Sequence, residues 1–215
     1  MDARTPEKPP SRLKQRNEAK ILSAAQSVFA ALGYHGATIE KIAERASMSQ
    51  PNLHNYFKTK SDLYAAVLEQ TLSIWLDLID DVNPKGDPET ELRRYIAQKV
   101  ELSRLHPDAS RVFANEILQG APVLKSHIKT RVRANVQLFS DAIASWVAAG
   151  KLRPVDPYHL IFMIWASTQH YADFLAQIKA IMDVPRFTKS HFEAAEQTIS
   201  RTILYGILPE TKAHG

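Results

Sequence analysis

The sequence contains no cysteine, and only seven of its 215 residues are glycine. Without cysteine, the chain can form neither a disulfide framework nor a thiolate metal site. It also lacks the glycine-rich loop that a dinucleotide-binding or phosphate-cradling enzyme carries after a strand. No window approaches the roughly 18 apolar residues of a membrane span, and the N-terminus has no signal-peptide core. We therefore expect a cytoplasmic protein with no metal, cofactor or membrane partner.

Positive charge is concentrated near the N-terminus. Residues 1–60 contain ten Lys or Arg against five Asp or Glu, whereas the rest of the chain contains 17 against 18. A basic segment beside a neutral body is typical of a part that binds phosphates, although a charge run alone is more often a solvated face. Pro6, Pro9 and Pro10, followed by Arg12, Lys14 and Arg16, predict a basic, flexible N-terminal arm over residues 1–16.

The spacing of apolar residues predicts helices along almost the whole chain. Over residues 21–32 they recur every three or four positions, and Gly33 and Gly36 follow where that helix should end. Later helices share long apolar stripes and are predicted over residues 63–78, 122–149, 157–181 and 188–207. We therefore expect an all-α fold of about nine helices, with a three-helix DNA-binding head over residues 17–60 and a helical ligand-binding and dimerisation domain over residues 61–215.

Two short helices are predicted after Gly36. Thr38 can cap the first of them, and Ser49 can cap the second, which carries Pro51 in its first turn and extends from about Gln50 to Tyr56. Two such helices joined by a tight turn are typical of a helix-turn-helix unit that reads the major groove of double-stranded DNA. A solvated surface helix is the alternative for this stretch taken alone.

The polar face of the third helix supplies the candidate DNA contacts. Leu53 and Phe57, four residues apart, should point inward and leave the amides and His54 outward. Base contacts are predicted for Gln50, Asn52, His54 and Asn55, because amides discriminate base edges. Hydroxyl and ammonium groups bond phosphate oxygens, so backbone-positioning contacts are predicted for Thr38, Tyr56, Lys58 and Lys60. Ser49 and Pro51 complete the predicted DNA-binding set.

Residues 21–68 resemble the TetR family of bacterial transcriptional regulators. The matching positions, with the family's spacing, are Phe29, Gly33, the "GAT" of residues 36–38, the "IA" of residues 42–43, Ser49, the "YF" of residues 56–57, Lys60 and Leu63. Ser47 departs from the pattern, since the family usually has Gly in this turn. The resemblance implies a homodimer on a near-palindromic operator, a small-molecule pocket in the body, and a dimer interface formed by the last two long helices.

The polar block "STQH", residues 167–170, interrupts an otherwise apolar helix and suggests a ligand site. Helical geometry places Gln169 on the same face as Trp165, and Trp75 on the connecting helix is a second large ring. Ligand-binding residues are predicted to be Trp75, Phe113, Trp165 and Gln169. Alternatively, both Trp are core residues and Gln169 bonds a backbone carbonyl. The residues alone indicate a small, planar, polar or aromatic ligand.

Within residues 110–124 and 156–174, the chain resembles a member of the family that controls pyrimidine utilisation and responds to uracil and thymine. The resemblance implies one of these bases as the effector. Such a ring can stack on Trp and meet the Gln169 amide in a paired hydrogen bond, because its edge alternates N–H donors and carbonyl acceptors.

Two other functions need consideration. An enzyme would draw on His159 or His170 with Asp156, Asp173 or Glu116, but no metal-ligand spacing such as His-Glu-x-x-His occurs and no nucleophile lies beside a base. We therefore expect no catalytic residues. An architectural DNA-binding dimer without an effector is the second alternative, and it differs from a regulator in gaining no thermal stability from a ligand.

Overall fold

The computed structural model describes residues 12–210, and every regular element in this range is helical. The predicted all-α class is confirmed. The chain divides into two compact units between Val67 and Leu68, seven residues beyond the boundary predicted at residue 60.

The first unit contains three helices and the start of a fourth. Their bounds are α1 Arg12–Gly36, α2 Ile39–Arg45, α3 Gln50–His54 and α4 Lys60–Asp80. Large apolar side chains from all four meet in one core, with Phe29, Ile42, Leu53 and Leu63 each at most 1% exposed. Burying such a side chain stabilises a fold by about 1.5–3 kcal/mol. This core therefore fixes the short α2 and α3, which would be unstable as isolated helices.

Helix α1 differs from the sequence prediction at its start. It begins at Arg12, so Arg12, Lys14 and Arg16 are helical and the predicted flexible arm does not extend to residue 16. The remainder of the predicted arm, residues 1–11, lies outside the described residues. Toward its end, Gly33 takes φ 68° and ψ 174°, a combination that only glycine adopts at low cost. Gly33 therefore ends the regular part of α1 as predicted.

The second unit contains α4 from Leu68 onward, together with the remaining helices. Their bounds are α5 Pro88–Leu105, α6 Pro107–Leu118, α7 Lys125–His127, a π-helical segment Ile128–Val132, α8 Arg133–Ala148, α9 Pro157–Asp173, α10 Leu175–Met182 and α11 Lys189–Ile207. Since the π-helical segment joins α7 to α8, the described residues form ten continuous helices, close to the predicted nine. Asp87 and Asp156 cap α5 and α9 by accepting backbone N–H bonds of 3.1 Å and 2.9 Å.

Helix α5 lies at the centre of the second unit and packs against α9 and α11. Its inward stripe includes Leu92, Tyr95 and Ile96, each at most 1% exposed. Ser103 near its end donates a 2.9 Å hydrogen bond to the carbonyl of Thr168 in α9. No helix within residues 12–210 is both long and apolar enough to cross a membrane.

The predicted helix over residues 157–181 is two helices. The backbone leaves the helical region at Phe174 (φ −113°, ψ 23°), which separates α9 from α10. The sequence carries no Gly or Pro at this point, so it lacks the usual signal of a break. The break leaves Asp173 as the last residue of α9, where its side chain accepts a 2.6 Å hydrogen bond from Ser110 of α6.

Candidate DNA-binding and ligand-binding sites

The helix-turn-helix is formed by α2, the turn that follows it, and α3. Thr38 caps α2 as predicted, because its hydroxyl accepts a bond from the backbone N–H of Lys41 at 3.3 Å. Ser47 has φ 50°, the left-handed region that usually favours glycine, so a tight turn is built here with a serine. Ser49 precedes α3 without a side-chain capping bond.

Helix α3 is shorter than predicted. It ends at His54 rather than Tyr56, because the N–H groups of Asn55 and Tyr56 bond carbonyls three residues back and tighten the chain into a turn. Leu53 is fully buried and Phe57 is 8% exposed, so both anchor the segment inward as predicted. The polar groups that they leave exposed are Gln50, Asn52, His54, Asn55 and Lys58, together with Pro51.

Two predicted phosphate contacts also hold the first unit together. The hydroxyl of Tyr56 accepts a 2.9 Å bond from the side-chain amide of Asn17 in α1. The ammonium of Lys60 donates to the carbonyls of Tyr34 and Ala37 at 2.9 Å and 3.0 Å, and it lies 4.5 Å from the centre of the Tyr34 ring. An ammonium has three donors, so Lys60 has two of them engaged with the end of α1.

A shallow concave surface joins the start of α1 to α3. Leu13, Lys14, Asn52, Asn55 and Tyr56 line it. The helical start of α1 thus places the cation of Lys14 on the same surface as two of the predicted base-reading amides. The sequence prediction assigned Lys14 to a flexible arm, because the prolines at positions 6, 9 and 10 precede it and disfavour a helix.

The second unit contains a cavity that brings together all four predicted ligand-binding residues. It is lined by Leu72, Trp75, Leu76, Ile79, Tyr95, Lys99, Phe113, Val132, Trp165 and Gln169. The space between these side chains is about 390 Å³, including its opening to solvent. Trp75 and Phe113 meet edge to face, with ring centres 4.5 Å apart. Val132 belongs to the π-helical segment, a feature frequent at functional sites.

The polar groups at this cavity differ in how they are satisfied. The indole N–H of Trp165 donates a 2.7 Å bond to the hydroxyl of Tyr95, and burial raises the pKa of Tyr95 above its ordinary value. If Gln169 were only a core residue, its amide should bond a backbone carbonyl. Within residues 12–210, the amide makes no such hydrogen bond. Its neighbours Ser167 and Thr168 do bond carbonyls of their own helix.

Lys99 is a cavity residue that sequence reasoning missed. It is only 4% exposed, and its ammonium lies 5.0 Å from the centre of the Trp75 ring. Burial lowers the pKa of Lys99 to about 8, and the opposing charge of Asp173 raises it. The sequence did carry a signal, because Lys99 falls on the same buried helix stripe as Leu92 and Ile96.

The carboxylates considered for catalysis have structural partners. Asp156 caps α9, Asp173 accepts the hydrogen bond from Ser110, and Glu116 accepts bonds from the N–H groups of Val123 and Leu124 at 2.6 Å and 3.0 Å. Burial raises the pKa of Asp173, while the Ser110 bond and the nearby cations lower it. In the part of the chain that the structure describes, no cluster of three or more His, Asp or Glu could hold a metal ion.

A helix-turn-helix unit followed by a helical unit with an internal cavity defines the class of DNA-binding regulators that carry a separate ligand domain. Comparison with known families agrees. Residues 21–67 match the family described as bacterial regulatory proteins, tetR family, and residues 68–210 match the YcdC-like protein C-terminal region. The chain belongs to the TetR family of transcriptional regulators, and it is not an enzyme.

The chain is also similar to individual proteins along most of its length. It is 43% identical over 199 residues to the HTH-type transcriptional regulator RutR of Escherichia coli strain K12, covering 93% of this chain and 94% of RutR. A tetR-family regulatory protein from Rhodococcus RHA1 has the same fold, with a TM-score of 0.73 at 22% identity, over 92% of this chain and 97% of that one. AibR, solved with isovaleryl coenzyme A and operator DNA, has a TM-score of 0.66 at 18% identity, over 86% of this chain and 97% of AibR.

Proposed function

We propose that this protein binds a near-palindromic operator as a homodimer and that uracil or thymine releases it, so that it controls pyrimidine metabolism. The observation that carries the proposal is the convergence of Trp75, Trp165 and Gln169 on one largely apolar cavity. Two indoles supply flat surfaces, and an amide supplies one donor and one acceptor at the same place. These groups suit a small planar ring whose edge alternates N–H and C=O.

The identity of the ring rests on sequence resemblance. Residues 110–124 and 156–174, which resemble a pyrimidine-utilisation regulator, contain Phe113, Trp165 and Gln169. A TetR regulator with another small aromatic or polar effector is the alternative.

A thermal-shift panel of nucleobases tests the effector. Uracil or thymine at a hundredfold excess over its dissociation constant should stabilise the protein by roughly 3 kcal/mol, which shows as a raised melting temperature of the second unit. Adenine serves as the control, because it has no carbonyl group and so lacks the edge of alternating N–H and C=O groups that the proposal requires. If adenine stabilises the protein and neither pyrimidine does, the effector has been misassigned.

DNA binding divides between base reading and positioning. Gln50, Asn52, His54 and Asn55 are exposed on one surface of the first unit, where we assign them to base edges. Thr38, Tyr56, Lys58 and Lys60 are assigned to the phosphate backbone, and Ser49 and Pro51 complete the DNA-binding set. The bonds of Lys60 to Tyr34 and Ala37 make its role partly structural, so Lys58 is the better probe of a phosphate contact.

Lys58→Ala should weaken binding to all DNA sequences alike and reduce the salt slope of the affinity by about one, because one phosphate contact releases about one counterion. Asn55→Ala should instead change sequence preference and leave the salt slope unchanged. Fluorescence anisotropy at several salt concentrations, on operator and on a scrambled duplex, measures both effects. Equal loss of specificity in the two variants would contradict this division of roles.

The homodimer is assigned to the last long helices. Large apolar side chains are exposed there, including Phe162 and Met163 of α9, Ile181 of α10 and Tyr205 of α11, at 48%, 47%, 76% and 60%. Large apolar side chains that stay exposed on neighbouring helices often mark a protein–protein interface. With the resemblance to the family, it supports a dimer through residues 157–181 and 188–207.

Met163→Arg and Tyr205→Arg should each weaken dimerisation at least about 100-fold, because an unpaired charge buried in an interface costs several kcal/mol. Sedimentation equilibrium measures the dimer dissociation constant. Leu138→Arg is the matched control, since Leu138 is equally apolar and 65% exposed but lies on α8. If Leu138→Arg dissociates while both test variants remain dimeric, the dimer interface lies elsewhere.

A further inference from the structure

Lys99 places a group that can only donate hydrogen bonds at a cavity where the Gln169 amide can both donate and accept. We propose that Lys99 determines effector specificity, by donating to the oxygen at position 4 of a pyrimidine-2,4-dione, so that the cavity rejects the same ring with an amino group at that position. This inference rests on the proposed function, since it assumes a pyrimidine in the cavity. It adds which chemical feature of the ring is selected and which residue selects it.

Lys99 has hydrogen-bonding capacity to offer a ligand. Its ammonium carries three N–H donors and no acceptor. Its neighbour Trp75 presents a ring face at 5.0 Å, which attracts the charge but offers no lone pair. Asp173 acts on Lys99 through its charge, while its own hydrogen bond joins it to Ser110.

The ammonium of Lys99 needs a hydrogen-bond acceptor when a ligand fills the cavity. Lys99 is 4% exposed, so a ligand in the cavity would shield its ammonium further from water, and a shielded donor without an acceptor would destabilise the complex. Uracil and thymine carry carbonyl oxygens at positions 2 and 4. Either ring can therefore satisfy a donor of Lys99 while its face packs against the indoles of Trp75 and Trp165.

Lys99 can also distinguish uracil from cytosine. Cytosine differs from uracil along one edge, where an acceptor N3 and an amino group replace the N3–H and the carbonyl oxygen. The amide of Gln169 can pair with either edge, because a 180° rotation exchanges its donor and its acceptor. The ammonium of Lys99 cannot adapt in this way, so an amino group facing it leaves two donors opposed. Selectivity at position 4 therefore belongs to Lys99 and not to Gln169.

Isothermal titration of uracil, thymine and cytosine into the full-length protein at neutral pH tests the inference. We expect wild type to bind uracil about 10- to 100-fold more tightly than cytosine, the size of effect that one unpaired buried donor produces. Lys99→Met keeps the length and apolar stem of the side chain, and it should weaken uracil by a similar factor and bring the uracil-to-cytosine ratio close to one. Lys99→Gln, which can also accept, should gain affinity for cytosine.

The outcomes separate this inference from the proposed function. If wild type binds neither uracil nor thymine, the proposed function is overturned, and this inference with it. If wild type binds uracil but the uracil-to-cytosine affinity ratio is the same in Lys99→Met, only the role of Lys99 is overturned. A Lys99 that donates to the oxygen at position 2 would give this result. Operator binding shows whether each variant is folded. If Lys99→Met is not folded, the affinities of Lys99→Gln for uracil and cytosine decide the question.

Discussion

Uracil is expected to release the protein from its operator, and Gln169→Ala is expected to abolish that release while leaving operator binding intact. Removing the amide takes away the paired hydrogen bond to the ring, which should cost on the order of 1 to 3 kcal/mol of ligand binding. The substitution lies in the second unit and leaves the exposed face of α3 unchanged. The ligand response and the DNA affinity should therefore separate in this variant.

The expected release follows from which helices carry the cavity residues. Trp75 belongs to α4, which begins at Lys60 in the first unit and continues without interruption to Asp80. Trp165 and Gln169 belong to α9, one of the helices assigned to the dimer interface. An effector that contacts both helices can favour one arrangement of α4. By linkage, the effector then disfavours the spacing of the two DNA-binding heads that matches half-sites about 34 Å apart. Bound DNA lowers the affinity for the effector by the same factor.

Fluorescence anisotropy of labelled operator, titrated with uracil or thymine, measures the release directly. Gln70→Ala is the matched control, because Gln70 lies on α4 with its side chain exposed and outside the cavity lining. The control should respond as wild type does. The cavity or its ligand has been misassigned if neither base releases DNA at millimolar concentration, or if Gln169→Ala responds normally.

The first unit was predictable because its signals are local. Thr38 as a cap, Leu53 and Phe57 as inward anchors and Gly33 as a terminator each follow from spacing and backbone chemistry within a few residues. The start of α1 was not predictable in this way. Residues 12–16 are polar or charged at nearly every position, so the pattern could not separate a solvated helix from a flexible arm.

The cavity was predictable only in part. Trp75, Phe113, Trp165 and Gln169 stand out as large or polar groups in apolar helices, and the structure brings them together. Lys99 was overlooked because a lysine on a helix is usually read as a surface residue. Its burial depends on α5 being enclosed by α9 and α11, which is a tertiary property.

The roles of two other residues depended equally on contacts distant in sequence. Lys60 was predicted to bind phosphate, but its bonds to Tyr34 and Ala37 link residues 26 and 23 positions apart. The break at Phe174 leaves Asp173 near Ser110, 63 positions away. Spacing within one helix carries no information on such partners.

Glu116→Ala should lower the free energy of unfolding of the second unit by about 2–5 kcal/mol. Glu116 is 1% exposed, and its Oε1 accepts from the backbone N–H groups of Val123 and Leu124. These bonds close the connection between α6 and α7, where Gly120 and Ala121 have φ 86° and 56°. Alanine leaves two backbone donors without their acceptor, and hydrogen bonds to a charged group contribute about 1.5–3 kcal/mol each.

Urea denaturation, followed by Trp fluorescence, measures the change as a shift of the midpoint at constant slope. Glu116→Gln keeps a carbonyl oxygen at the same place and should lose less than half as much stability, because the acceptor remains while its charge is removed. Glu101→Ala is a second control, since Glu101 is exposed on α5 and pairs with Arg104 at the surface, where ion pairs contribute little. If Glu116→Ala is as stable as this surface control, the connection is held by the backbone turn at Gly120 and Ala121 and not by the carboxylate.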